Sequence, residues 1–147
     1  MRTKINKLLV ADIGSQVTVN GWVKSVRKSK TFSFVDLNDG SDNAGIQIIV
    51  NSNLLEYQEL MARITTGSSL SVTGTLVKSQ GHEQEFELQA LHIEVFGMCP
   101  ADEYPLQKKQ HSLEFLRTIA HLRPRTNTIG CVSRVRNALP YATHQFF

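Results

Sequence analysis

The stretch GWVKSVRKSKTFSFVDLNDGSDNAGIQIIVN, from Gly21 to Asn51, decides the fold of this chain. Polar and apolar side chains alternate along Thr31–Leu37 and again along Gly45–Asn51, as they do in strands that bury one face. The tetrapeptide NDGS between them has the composition of a tight turn. The stretch therefore predicts two strands joined by a turn.

The same alternation continues on both sides of this stretch. It predicts five strands, which are Gln16–Lys28, Thr31–Leu37, Gly45–Asn51, Ser69–Lys78 and Glu85–Val95. Val26 falls out of phase within the first strand, as a residue does at a bulge or in a coiled strand. The tetrapeptide Ser79-Gln80-Gly81-His82 has the composition of a hairpin loop and joins the last two strands.

A helix is expected between the third and fourth strands. Four apolar residues recur there at helical spacing: Tyr57, Leu60, Met61 and Ile64. Ser52 or Asn53 suits the N-cap, and Gly67 suits the C-terminal end. Three strands, a helix and two strands is the order of a five-stranded OB-fold barrel, so the predicted fold class is all-β.

The composition changes after residue 97. Pro100 and Pro105 interrupt any regular ladder, which is typical of a linker. Helical spacing then predicts a short helix at about 111–121 and a second pattern that begins at Thr126 and still runs at Phe147. We predict an OB-fold domain at 1–97, a hinge at 98–125 and a helix of a further domain at 126–147. The chain is expected to be the front of something longer.

Charge and aromatic residues indicate a ligand class. The net charge of the 147 residues is only +3, so a nucleic-acid footprint must come from local clustering. Around Trp22, Phe32 and Phe34 such a cluster exists, formed by Lys24, Arg27, Lys28 and Lys30. Aromatic rings give bases a surface for stacking and cations hold phosphates, so the stretch predicts binding of unpaired nucleotides, with RNA favoured.

Other functional classes are disfavoured by the cysteines and by hydropathy. Cys99 and Cys131 lie far apart and outside any CxxC motif, so no metal site is expected and a reduced, cytoplasmic setting is the default. The N-terminus has only a very short apolar run, and no stretch approaches membrane-spanning length. We expect a soluble cytoplasmic protein with no membrane association.

Several of these segments match a known family. GWVKSVRKSK, FSFVDLNDGS, IQIIVN and the paired strands up to Glu94 resemble the anticodon-binding domain of class IIb aminoacyl-tRNA synthetases, the aspartyl, asparaginyl and lysyl group. The segment YPLQKKQHSLEFLRTIAHLRPRT is more specific and is similar to the hinge of bacterial-type asparaginyl-tRNA synthetases. The resemblance covers about Lys7 to Phe147.

The resemblance implies an ATP-dependent enzyme that joins asparagine to its tRNA through an asparaginyl-adenylate. It implies ATP and Mg²⁺ as cofactors of the whole enzyme, and it makes residues 126–147 the first helix of a class II catalytic domain that forms a homodimer. Pro140 and Thr143 depart from the family pattern there. The motifs that hold ATP are expected beyond residue 147, so no catalytic residue is assigned and the fragment alone is expected to be inactive.

The resemblance also assigns binding residues, each of which has a simpler alternative. Phe34 corresponds to the ring that stacks on an anticodon base, and Gln47 to the reader of the middle base, a uridine. Arg27 corresponds to an arginine that contacts the anticodon loop. The alternatives are a core ring for Phe34, a solvated strand residue for Gln47 and a surface charge for Arg27. For Phe32, two interpretations are equally favoured: support of the rim of the binding surface and a position in the core.

The remaining candidates carry less sequence information. Glu87 could accept from a base, although Glu85 is nearly as good a choice on the same strand face. Trp22 is expected to pack rather than to stack. Three cations are expected to contact phosphates without reading sequence: Lys24, Lys28 and Lys30.

Two other functions stay open at this point. One is a free-standing OB-fold module that binds single strands with little sequence preference, which the hinge-like segment disfavours. The other is a fragment of an aspartyl-tRNA synthetase, which is weaker because the hinge resembles the asparaginyl sequence.

Overall fold

The computed structural model of the chain describes residues 2–79, 81 and 84–147. Five strands form a closed barrel in the order β1-β2-β3-β5-β4. The strands are β1 (Gln16–Arg27), β2 (Phe32–Asn38), β3 (Ile46–Asn51), β4 (Ser69–Lys78) and β5 (Phe86–Gly97). The predicted five-stranded OB-fold barrel, with a helix between the third and fourth strands, is confirmed.

Strand β1 is shared by two parts of the barrel. Its first half pairs with β4 and its second half with β2, and a register shift separates Val23 from Ser25. The predicted break in phase is therefore a bulge at Lys24, after which Val26 lies opposite Val35 and packs against the core. At Gly21, a Cβ atom would lie 2.7 Å from the Asn38 carbonyl oxygen, so only glycine fits where β1 and β2 meet.

The inward faces are the ones that alternation predicts. Nine aliphatic side chains from all five strands are fully buried: Val19, Val35, Leu37, Ile48, Val50, Leu70, Val72, Leu76 and Leu88. Burying an aliphatic side chain of this size contributes about 1.5–3 kcal/mol, so this cluster is the main source of stability. The outward faces are left free for other roles.

The helix α1 spans Tyr57–Arg63 and is shorter than predicted at both ends. The predicted caps Ser52 and Asn53 are wrong, because Glu56 takes a left-handed backbone conformation with φ of 57° and precedes the helix. The predicted end at Gly67 is also wrong, since Ile64 is already extended. The predicted apolar stripe is correct, because its four residues pack in or against the core.

An N-terminal 3-10 helix at Ile5–Val10 was not predicted. Ile5 and Leu8 are buried in the barrel core. The Asp39 carboxylate accepts a hydrogen bond of 3.1 Å from the Ile5 backbone nitrogen and lies 3.8 Å from Arg2. These partners are more than thirty residues apart in the sequence, so local patterns do not show them.

The hairpin between β4 and β5 is confirmed by its pairing, with Lys78 opposite Phe86. Gln80 and His82 of the predicted loop lie outside the described residues.

The structure also gives the exposure of two aromatic side chains whose position was predicted. Trp22, expected to pack, is 45% exposed, and Phe32 is 41% exposed and lies outside the core.

The chain divides into two compact units, Met1–Lys108 and Lys109–Phe147. The second unit contains α2 (Leu113–Thr118), a 3-10 helix (Arg123–Arg125) and α3 (Asn127–Phe146), which runs through Pro140. Helix α2 is shorter than the predicted 111–121, and its N-cap is Ser112, whose hydroxyl accepts from the Phe115 backbone nitrogen at 3.1 Å. The assignment of 98–125 to a hinge stays a prediction.

Candidate nucleic-acid interface

The candidate residues lie together on one outer face of the barrel, which we call the front wall. It consists of Arg27, Phe32, Phe34, Asp36, Gln47 and Glu87, with the three lysines at its margins. Strand register arranges most of these residues in two rows. In the first row, Arg27 lies opposite Phe34. In the second row, Asp36 lies opposite Gln47, and Gln47 lies opposite Glu87. The parallel pairing of β3 with β5 brings the last two residues together.

The first row is an aromatic platform. The Phe34 ring is half-buried and points away from the barrel core. Phe32 meets it edge-on, with 5.2 Å between the ring centroids. The Arg27 guanidinium carbon lies 4.9 Å from the Phe34 centroid, which is a cation–π distance. The core-ring alternatives for Phe34 and Phe32 are therefore excluded, and both rings are positioned on the outer surface.

The second row contains an amide held by a carboxylate. Gln47 Nε2 donates to Glu87 Oε1 at 3.0 Å, and the same oxygen accepts from Ser79 Oγ at 2.8 Å and from Gln84 Nε2 at 3.4 Å. Glu87 is only 7% exposed. Because a carboxylate only accepts, the Gln47 amide must turn its nitrogen toward Glu87. Its carbonyl oxygen and second N–H are then held in one orientation.

The structure also distinguishes Glu87 from its neighbour. The sequence left Glu85 and Glu87 nearly equivalent, whereas Glu85 is exposed and precedes β5. Glu87 alone of the two is paired in register with Gln47. Its contacts make it a support for the amide. A direct contact between Glu87 and a base stays a prediction.

Asp36 belongs to the front wall and was missed as a site residue. It lies between Phe34 and the β2–β3 turn and is half-buried. Burial raises the pKa of the Asp36 carboxyl, while the ammonium groups of Lys24 and Lys108 act in the opposite direction. A signal was available, since Asp36 shares the face of Phe32 and Phe34 by simple alternation.

The predicted phosphate-binding lysines differ in their surroundings. Lys24 Nζ donates to the Asn43 carbonyl oxygen at 3.1 Å, and Lys28 Nζ donates to the Met61 carbonyl oxygen at 2.5 Å. Both ammonium groups are therefore tied to the barrel, although each keeps further hydrogens for other acceptors. Lys30 is exposed in the β1–β2 loop. The phosphate role of all three stays a prediction.

The described parts of the chain contain neither a metal-binding cluster nor a membrane-spanning helix. There, no group of three or more His, Cys, Asp or Glu side chains is arranged to hold a metal ion. In the same residues, every helix is too short or too polar to cross a lipid bilayer.

Known proteins resemble this chain in both sequence and structure. The family described as the OB-fold nucleic acid binding domain matches residues 17–96, more than half of the chain. The chain belongs to this family. The matched residues contain all of the barrel except the first residue of β1 and the last of β5, and they include the whole front wall. The OB-fold family thus accounts for the barrel and for nucleic acid as its class of ligand.

Individual relatives extend the comparison beyond the OB-fold domain. The chain is 52% identical, over its full length, to the asparagine–tRNA ligase of Protochlamydia amoebophila, of which it covers 33%. The asparaginyl-tRNA synthetase of Entamoeba histolytica, solved with asparaginyl-adenylate, superposes with a TM-score of 0.81 at 24% identity, over 99% of this chain and 34% of that one.

A third relative shows the limit of structural likeness. A putative aspartyl-tRNA synthetase of Leishmania major superposes with a TM-score of 0.80 at 18% identity, over 99% of this chain and 32% of that one. The fold is thus common to both specificities. The chain spans about a third of the length of the curated relatives that it matches.

Proposed function

We propose that this chain is the anticodon-binding part of an asparagine–tRNA ligase and binds the anticodon loop of asparagine tRNA. The observation that carries the proposal is the front wall, where a Gln47 amide of fixed orientation lies one strand row from the Phe34 ring. The 52% identity to an asparagine–tRNA ligase over the full chain supports the same assignment.

Stacking supplies affinity in this proposal. A base of the opened loop stacks on the exposed part of the Phe34 ring, which is worth about 1–3 kcal/mol per base. Arg27 lies against the same ring, so its guanidinium is placed to meet the phosphate of the stacked nucleotide. Phe32 supports the ring edge-on and extends the apolar surface.

The fixed amide supplies specificity. Uridine presents an N3–H donor beside an O4 acceptor, which pair with the Gln47 carbonyl oxygen and its remaining N–H. Cytidine in the same pose presents the reverse order, an N3 acceptor beside an N4 donor. A rotated amide would match cytidine, but rotation would turn its oxygen toward the Glu87 carboxylate, two acceptors without a proton between them. Glu87 therefore favours uridine at the middle position.

The chemistry of the whole enzyme is part of the proposal. It would consume ATP with Mg²⁺, act on asparagine and its tRNA in the cytoplasm, and form a homodimer. Among the described residues, no group of three or more His, Cys, Asp or Glu side chains could hold the Mg²⁺ ion. Residues 98–125 would be the hinge, and 126–147 the first helix of the class II catalytic domain.

The proposal is tested by calorimetric titration of an RNA stem-loop that carries the asparagine anticodon. Phe34→Ala should weaken binding by about 1–3 kcal/mol for every sequence. Gln47→Ala should instead remove about 1–3 kcal/mol of preference for uridine over cytidine at the middle base. Both expectations concern variants of the same front wall, and Thr73→Ala on another face serves as the control.

Each outcome assigns a function. Unchanged affinity of Phe34→Ala would contradict stacking. Equal weakening of all sequences by Gln47→Ala would favour the free-standing OB-fold module of low sequence preference. Tighter binding of the aspartate anticodon, which differs from the asparagine anticodon at its third base, would favour an aspartyl-tRNA synthetase.

A further inference from the structure

The β1–β2 loop, residues 28–31, is held by a small cycle of hydrogen bonds. The Tyr57 hydroxyl lies 3.1 Å from the Ser29 carbonyl oxygen and 2.6 Å from Ser33 Oγ. The Ser29 backbone nitrogen donates to Ser33 Oγ at 3.4 Å. Ser33 is on the inward face of β2 and is fully buried, whereas Tyr57 is the first residue of α1.

The direction of every bond in this cycle follows from chemistry. The Ser29 carbonyl oxygen only accepts, so Tyr57 must donate its single hydrogen there. The short contact between Tyr57 and Ser33 then requires the serine hydroxyl to donate to the tyrosine oxygen. Ser33 Oγ in turn accepts from the Ser29 N–H. The cycle is closed, and each member polarises the next.

Two further contacts anchor the same loop, one to the same helix and one to Ser52 after β3. Lys28 Nζ donates to the Met61 carbonyl oxygen in α1, and the Thr31 carbonyl oxygen accepts from the Ser52 backbone nitrogen at 3.0 Å. Three of the four loop residues are thus anchored. The loop begins after Arg27 and ends before Phe32, and these are the two residues that flank the Phe34 ring.

We propose that Tyr57 is a positioning residue of the front wall: its hydroxyl closes the cycle with Ser29 and Ser33, and this holds Arg27 and Phe32 against the Phe34 ring. Tyr57 touches no nucleotide in this arrangement. It lowers the entropy that the loop loses when RNA binds, because the loop is already ordered. The inference rests on the proposed RNA-binding function.

The test compares Tyr57→Phe with Thr18→Val in the full chain. Each variant deletes one hydroxyl from a hydrogen-bonded pair, since Thr18 Oγ1 lies 2.9 Å from Thr73 Oγ1 on the other side of the barrel. The probe is the asparagine anticodon stem-loop, titrated where thermal melting shows each variant to be folded. Tyr57→Phe should weaken binding about two- to tenfold, the worth of one hydrogen bond, and Thr18→Val should not.

Coupling separates positioning from a general structural role. In the background of Phe34→Ala the effect of Tyr57→Phe should disappear, because the tyrosine acts through the ring. In the background of Ser33→Ala it should shrink, because the cycle is already open. Without RNA, backbone hydrogen exchange at residues 29–31 should be faster in Tyr57→Phe than in the unaltered chain, whereas Thr18→Val should not change it.

The outcomes are distinct. If the unaltered chain binds the stem-loop and Tyr57→Phe binds equally well, the positioning role is wrong while the proposed function stands. Full additivity of Tyr57→Phe with Phe34→Ala would also overturn it. If the unaltered chain fails to bind, the proposed function and this inference fall together.

Discussion

Two outer faces of the same barrel differ sharply in chemistry. The front wall carries rings, an amide and two carboxyls, whereas the back wall, formed by Thr18, Asn20, Ser71 and Thr73, carries only short polar groups. Thr18 and Thr73 bond to each other across β1 and β4. Both faces are built on strand β1, with inward residues buried alike beneath them. The comparison teaches that the barrel fixes where side chains point, and that function depends on which side chains stand on one face.

The bulge at Lys24 marks the change from one face to the other. Up to Trp22, β1 pairs with β4 along the back wall, and from Trp22 onward it pairs with β2, with the bulge two residues after this change of partner. Because a bulge adds one residue and changes the phase, Arg27 comes to lie on the side of Phe34. A single extra residue thus decides that the cation and the ring share a wall.

Glu87 gives the strongest test of the difference between the walls. Glu87→Ala should lower the free energy of unfolding by about 1.5–3 kcal/mol, because it leaves half-buried donors of Gln47, Ser79 and Gln84 without their charged acceptor. It should also reduce the preference for uridine, since the amide is released. Urea denaturation and RNA titration measure the two effects. Glu85→Ala is the matched control, and an equal loss in both variants would contradict the distinction.

Two carboxyls of the β2 segment sharpen the comparison through their pH dependence. Hydrogen bonds from Ser41 and Ile5, with the Arg2 charge, outweigh burial and lower the pKa of Asp39 below its ordinary 3.8. The stabilisation by the ionised Asp39 carboxylate is therefore present above pH 3.8 and is lost as the pH falls through the native pKa. Asp39→Asn should cost about 1–2 kcal/mol at neutral pH, and the cost should shrink toward pH 3.

Asp36 on the front wall should behave in the opposite way. Its native pKa lies above 3.8 because burial disfavours the charged form, so its ionisation opposes folding at neutral pH. The stability of Asp36→Asn at pH 7 should equal or exceed that of the unaltered chain in urea denaturation. A loss as large as that of Asp39→Asn would show that Asp36 is a structural residue rather than one tolerated for binding.

The back wall should respond only in stability. Thr73→Val removes the bond to Thr18 and should lower the free energy of unfolding by about 0.5–1 kcal/mol, the net worth of one neutral hydrogen bond. Its affinity for the stem-loop should be unchanged in calorimetry. A weakened affinity would place part of the RNA on this face and break the comparison.

The smallest effect is expected at the margin of the front wall. Lys30→Gln should reduce the slope of log K against log salt by about 0.7, the value for one phosphate contact on single-stranded RNA. Lys4→Gln is the control. Lys4 is exposed and follows Thr3, whose backbone nitrogen donates to the carbonyl oxygen of Thr18 in the back wall. Titrations at several salt concentrations measure both slopes. An equal change in the two variants would contradict a specific contact between Lys30 and a phosphate.

Some parts of this structure follow from local sequence and others do not. Alternation placed Gln47 outside the barrel and grouped Phe34 with Phe32 and Asp36 on one face, since parity along a strand needs no tertiary information, but it was the family resemblance that favoured the outer position of Phe34. The choice of Glu87 over Glu85 needed the parallel register of β3 and β5, which joins residues forty apart. The start of α1 was misplaced because the left-handed Glu56 leaves no compositional sign. Tyr57 matched a core stripe, and nothing local shows that its hydroxyl reaches back to Ser29.

Closure of the barrel has a consequence for how recognition can change. Each of the five strands pairs with a neighbour on both sides along part of its length, so no strand of the barrel is free along one whole edge. A visiting molecule therefore finds no complete edge to extend as a sixth strand and must be identified mainly by protruding groups. Exchange of a few surface residues can then redirect the protein to another sequence while the scaffold beneath keeps its architecture.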